Sequence, residues 1–171
     1  MTGESHSGRA VHLPAAYGAL GGADRLLPWS FVEARLRRAA NYWLVTVGPN
    51  ARPHARPVDG AWVDGALCFG GSPETRWARN LIANPAMSVN LSSEAEAIIL
   101  EGTAEVVTDP AHPLSAPSMA ASREKYPQYY PAESPFRPFW ALRPTRAFAW
   151  KLEGFPRGAT HWSFERTQPT S

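Results

Sequence analysis

Pro53 and Pro57 stand four residues apart in the segment Arg52-Pro-His-Ala-Arg-Pro-Val58, directly after a run of β-forming residues. A prolyl nitrogen has no hydrogen to donate to a sheet ladder, so a strand carrying two prolines must run along an edge or be interrupted. Backbone of that kind leaves polar groups free to meet a ligand. Side chains alternate along a strand, which sets Arg52, His54 and Arg56 on one face and Ala55 on the other. The preceding strand, residues 42–47 (Tyr-Trp-Leu-Val-Thr-Val), is β-branched and aromatic. Gly48-Pro49-Asn50 turns the chain between the two.

The next parts follow in close order. Trp62-Val63 and the apolar run Ala66 to Phe69 flank Asp64-Gly65, a hairpin signal. Gly70-Gly71 breaks the chain before Ser72-Pro73, a pair that reads as N-cap and first helical residue. A helix starting there aims free backbone N–H groups at whatever lies before it. Arg76 and Arg79, three apart, share a face near that end. The arrangement suits a phosphate; its plainer reading is a solvated helix face. Asn84-Pro85 closes the segment.

Strand, turn, strand, glycine break, Thr75-Arg-Trp-Ala-Arg-Asn-Leu81 helix and Asn-Pro stop together resemble the pyridoxamine 5'-phosphate oxidase-like superfamily, the FMN-binding split barrels. Within it the chain is most similar to the flavin/deazaflavin oxidoreductases, over residues 29–107 and again over 143–164. The resemblance implies a mainly β (α+β) split β-barrel with a few peripheral helices, assembled as a homodimer with the cofactor groove at its interface. It places a redox ring against the strand 52–58, with the phosphate gripped at the helix start. The cofactor-binding residues it implies are Arg52, His54, Arg56, Pro57, Val58, Ser72, Thr75, Arg76, Arg79 and Asn80. Relatives commonly carry lysine after Arg76. Trp77 stands there instead, which removes one charge from the grip and suggests packing with Leu81.

The implied cofactor is the deazaflavin coenzyme F-420, with FMN as the alternative. The implied function is an oxidoreductase transferring a hydride between bound deazaflavin and a small unsaturated organic substrate. The alternatives are an FMN-dependent oxidase or reductase, and a non-catalytic flavin or haem carrier. Tyr130, Trp140 and Trp162 are candidates for the substrate side, where flat aromatic surfaces suit an apolar compound; core packing is their other role.

Composition narrows the rest. A chain of 171 residues, 44% hydrophobic with seven Trp, is expected to form one compact domain. Net charge is only +2, which implies no general nucleic-acid field. Lys125 and Lys151 are the only lysines among the basic residues; arginine suits bidentate grips on phosphate or carboxylate. The single cysteine, Cys68, excludes an intramolecular disulfide and reads as a small buried hydrophobe. No apolar stretch is long enough for a membrane span, and the cytoplasm is the expected location. The sequence shows no metal-ligand spacing, no nucleophile elbow, no phosphate-binding glycine loop and no carboxylate pair. The isolated His6 and His12 are assigned no role. A cofactor that brings its own reactivity fits these absences.

Residues 1–26 lack a sustained period and read as a flexible arm, followed by a domain over 27–165 and a polar tail over 166–171. A helix is expected over 28–40, with Ser30 and Glu33 at capping-box spacing and Val32, Leu36 and Ala39 on its apolar face. Met87, Val89 and Leu91 alternate as a half-buried strand. Residues 97–107 read as a long strand bent at Gly102. A short helix is expected over 114–126, and then an aromatic segment, 126–131, that either covers core or lies at an interface. Residues 136–142 and 147–152 read as two strands paired around Arg143-Pro-Thr-Arg146, before a last block over 155–164.

Overall fold

The computed structural model describes residues 6–17 and 25–164. Residues 1–5 and 18–24 of the expected arm, and the expected tail over 166–171, lie outside the described residues. The elements are β1 (Arg9–Ala10), α1 (Trp29–Arg38), β2 (Tyr42–Val47), β3 (Pro53–Val58), β4 (Gly60–Val63) and β5 (Ala66–Phe69). They continue as α2 (Arg76–Ala83), β6 (Ala86–Asn90), β7 (Glu96–Val107), α3 (Ser115–Lys125), β8 (Phe139–Lys151) and β9 (Thr160–Ser163). The strands join one antiparallel sheet in the order β1-β9-β8-β7-β6-β2-β3, with β5 also on β8 and β4 on β5. This is a split β-barrel of α+β class. The sheet does not close, and β3 is its terminal strand.

The interior is built from both kinds of periodicity. Val32 and Leu36 of α1, one turn apart, meet Tyr42 and Leu44 of β2, Trp77 and Leu81 of α2, Leu142 of β8 and Trp162 of β9 in the main core. A smaller cluster of Ala61, Val63, Leu114 and Phe139 fills the space near α3. Asp64 and Gly65 adopt φ of 46° and 73°, the left-handed pair that a two-residue hairpin needs.

Two expectations are corrected here. Residues 136–142 and 147–152 are not two strands around a turn; they belong to one strand, β8, paired along β7. Glu101 lies opposite Arg146 and Gly102 opposite Pro144, so Thr145 is the extra residue of a bulge. The bulge removes the need for an N–H at Pro144, and Thr145 Oγ1 donates to the Glu101 carbonyl at 3.3 Å. Gly102 is required because a Cβ there would collide with the Arg143 carbonyl. The second correction concerns α1, which starts at Trp29 with Pro28 as N-cap and no side-chain cap. That start falls within the expected 28–40, and burial of Trp29 beside Trp62 and Trp162 fixes it; only the expected cap differs. Ser30 therefore lies inside the helix, while Glu33 accepts from Trp62 Nε1 at 3.2 Å.

Part of the N-terminal arm belongs to the domain. Arg9 pairs with His161 and Ala10 with Thr160, and Val11 N–H donates to the Ala159 carbonyl at 2.9 Å.

Candidate cofactor site

The edge position of β3 and the placement of its prolines have one cause. Gly48 N–H donates to the Arg52 carbonyl at 2.9 Å, and the register continues as Thr46 opposite His54 and Leu44 opposite Arg56. In an antiparallel ladder the hydrogen-bonding direction alternates, so residues 52, 54, 56 and 58 face β2 with their backbone groups. Pro53, Ala55 and Pro57 face outward, where a missing N–H disturbs no ladder. The side chains divide in the same way. Arg52, His54 and Arg56 share the face of the buried Leu44 and Thr46, while Pro53, Ala55 and Pro57 continue the face of the partly exposed Trp43 and Val47.

The start of α2 differs from the expectation. Ser72 to Thr75 form a turn: Thr75 N–H donates to the Ser72 carbonyl at 3.1 Å and Ser72 Oγ accepts from Glu74 N–H at 3.2 Å. Ser72 is not the cap and Pro73 is not in the helix. Thr75 is the N-cap, its Oγ1 accepting from Ala78 N–H at 3.4 Å, and the helix begins at Arg76. The register follows from Trp77, whose buried indole meets Phe69 and Trp140 edge-on at 5.5 and 6.2 Å. A Cβ at Gly71 would lie 2.6 Å from that indole, so the glycine break admits the ring. Trp77 packs in the core, and Arg76 and Arg79 are exposed on the first turns.

Electrostatics tie β3 to α2. The His54 imidazole is held below its ordinary value by burial first, then by the positive charges of Arg76 and Arg56. These groups therefore sit within electrostatic reach of one another. Arg52, Arg56, Arg76 and Arg79 take part in no ion pair among the described residues. Arg56 and Arg76 both act on His54, and with the exposed Arg52, next to β3, and Arg79 on α2 they supply unneutralised guanidiniums suited to phosphate or carboxylate, so the residues present fit an acidic cofactor.

Other candidates fall elsewhere. Asn80 is 3% exposed and donates through Nδ2 to Thr46 Oγ1 at 2.9 Å, so it braces α2 against β2. Val58 packs against the core, and Pro57 belongs to the outer face. Trp140 and Trp162 are core residues, which corrects their assignment to a substrate surface: one packs on Trp77, the other is 1% exposed beside Trp29. Tyr130 is half-buried, and its hydroxyl lies 3.8 Å from the point a Cβ on Gly70 would occupy, beside the glycine break.

A polar knot at the end of β3 was not read from the sequence. Lys125 Nζ donates to Tyr42 Oη and to the Gly60 carbonyl, both at 2.9 Å. The Tyr126 hydroxyl accepts from Gly60 N–H at 3.1 Å and reaches the Ala40 and Gly60 carbonyls at 3.0 Å. Burial pushes the Lys125 ammonium down to about 8 and raises the Tyr42 phenol above its ordinary value. The knot anchors the first residue of β4, two positions after β3. The only local signal was Lys125 beside Tyr126; the Tyr42 contact spans 83 residues.

The β3–α2 surface is open on this chain, and neither of two concavities, of 570 and 320 Å³, includes its residues.

The sequence pattern of the family described as pyridoxamine 5'-phosphate oxidase matches residues 30–151. The chain belongs to that family. No curated protein matches it by sequence. Among solved structures, the chain is similar to a structure described as an F420 reductase, with 24% identity and a TM-score of 0.52, covering 67% of this chain and 94% of that one. A heme binding protein from Mycobacterium smegmatis has 26% identity and a TM-score of 0.58, with 77% of this chain and 57% of that chain covered. A pyridoxamine 5'-phosphate oxidase-related, FMN binding protein from Nostoc punctiforme has 20% identity and a TM-score of 0.56, with 77% and 87% covered.

Proposed function

We propose that the chain is a flavin-type oxidoreductase that moves a hydride between the deazaflavin coenzyme F-420 and a small unsaturated organic molecule. The observation that supports it most is the unpaired set Arg52, Arg56, Arg76 and Arg79 beside an edge strand and a helix start. When bound, the deazaflavin supplies the hydride chemistry. The residues of this chain bind and orient: Arg76 and Arg79 would hold the acidic groups with Thr75, and Arg52, His54 and Arg56 would flank the ring. Tyr130, half-buried beside the glycine break, would meet the substrate side. The similarity to an F420 reductase supports the deazaflavin, and FMN is the alternative ring.

The site is proposed to be completed by a second copy. Trp43 is 40% and Val47 37% exposed, and with Pro53, Ala55 and Pro57 they make an apolar outer face on β2 and β3. Of the aromatics over 126–140, Tyr126, Phe139 and Trp140 are buried, while Tyr129 is 67% exposed. Among the described residues no helix is long and apolar enough to cross a membrane; the proposed site of action is the cytoplasm.

The heme-binding neighbour supports a second reading, a carrier that holds a ring without turning it over. Reduced F-420 bound to the protein, offered enones, quinones and tetrapyrroles in turn, separates the two. Oxidation of the ring by at least one acceptor is the expected result. Tight binding with no oxidation by any of them identifies the carrier.

A further inference from the structure

The 570 Å³ concavity lies between the N-terminal arm and the β8–β9 connection, on residues that the β3–α2 site does not use. Its size falls in the range of small-molecule pockets. Arg25 comes from the arm, and Lys151 and Arg157 from the end of β8 and the loop beyond it. Among the described residues, Glu153 is the one carboxylate on the rim, and none of the three cations makes an ion pair. Lys151, however, stands opposite Glu96 in the ladder with its Nζ 5.8 Å over the Phe31 ring, which leaves Arg25 and Arg157 to the cavity. Tyr17 and Phe155 add aromatic surface, set edge-on with centroids 6.0 Å apart.

The walls are tied together by specific contacts. Leu27 N–H donates to Thr160 Oγ1 at 2.9 Å, and that hydroxyl donates to the Gly158 carbonyl at 2.8 Å. Gly158 has φ of 81°, and a Cβ there would come within 2.9 Å of the Arg25 carbonyl. The arm therefore rests directly on the loop backbone, which holds Arg25 at the same cavity as Arg157.

We infer that this concavity is a second binding site, for an organic anion that carries a flat ring. The guanidiniums of Arg25 and Arg157 attract a carboxylate, sulfonate or phosphate, while the Tyr17–Phe155 corner receives the ring. A ring without the anion lacks the charge-assisted contacts, and an anion without the ring lacks the apolar ones.

Calorimetric titration of the full-length protein with 2-naphthoate tests this, with 2-naphthalenemethanol and inorganic phosphate as the neutral ring and the ringless anion. One 2-naphthoate per chain is expected, with both comparison compounds weaker by about tenfold or more. Arg157→Glu and Arg25→Glu should each weaken 2-naphthoate by about fivefold or more, Arg157→Gln by less, and added salt should weaken it too. Arg76→Ala, at the other site, should leave it unchanged. All three substituted positions are exposed, so the variants are expected to fold. Absence of binding, indifference to Arg25→Glu and Arg157→Glu, or loss in Arg76→Ala would overturn the inference. Loss in Arg76→Ala would return the ligand to the β3–α2 site, and the deazaflavin reading would be tested separately.

Discussion

Asn80 Nδ2 donates to Thr46 Oγ1 at 2.9 Å, and both side chains are buried. This bond joins α2 to β2 behind the arginines of the candidate site, and Thr46 Oγ1 lies 3.5 Å from the His54 carbonyl on β3. One buried polar pair thus sets the position of the helix relative to the strand whose side chains it must work with.

Asn80→Ala is expected to cost about 1–3 kcal/mol of stability, because it leaves the buried Thr46 hydroxyl without its donor. Thr46→Val together with Asn80→Leu should cost less than the sum of the two single changes, since neither polar group then remains to be satisfied. Urea unfolding of the four proteins measures the coupling. Strict additivity would show that the pair does not act as a unit.

The alkaline side of the stability profile should carry two opposed signatures. Burial pushes the Cys68 thiol up to about 12 from its ordinary 9.0. Between those values the unfolded chain has lost a proton that the folded chain keeps, so this group makes stability fall as pH rises. Lys125 works the other way: its folded value of about 8 lies below the ordinary 10.5, and in that window the unfolded chain binds the extra proton. Its contribution makes stability rise with pH. Cys68→Ala should flatten the decline above pH 9, and Lys125→Met should steepen it. Unfolding midpoints measured from pH 7 to 11 check both signs, and unchanged slopes would contradict them.

Trp43→Glu, on the outer face of β2, is expected to shift a dimer toward monomer at micromolar concentration, because it buries a charge in an apolar contact. Sedimentation velocity reads this directly. A wild-type protein that is monomeric with and without cofactor would remove the homodimer from the account.

Some features were legible in the sequence because they are local. A missing N–H at Pro53 and Pro57 forces an edge wherever the strand lies, and β3 is an edge. Asp64-Gly65 needs no tertiary partner to favour its turn, and Gly102 marks the bend in β7 for steric reasons. The misread features depend on distant contacts. The start of α2 moves from Ser72 to Thr75 because Trp77 must reach Phe69 and Trp140. Pro144 fails to break β8 because the bulge at Thr145 absorbs it. Trp140 and Trp162 have no periodic signal that separates a core ring from one facing a ligand. The basic face of the candidate site was visible from alternation on β3 and spacing on α2; their mutual position was not.

The most direct measurement is a fluorescence titration of F-420 and of FMN into the wild-type protein and into Arg76→Ala, Arg79→Ala and Arg38→Ala. The deazaflavin is expected to bind, the first two variants to lose about 1.5–3 kcal/mol of binding free energy each, and Arg38→Ala, on α1, to bind as the wild type does. Binding of neither ring to the wild-type protein, or equal losses at all three arginines, would contradict a defined grip by β3 and α2.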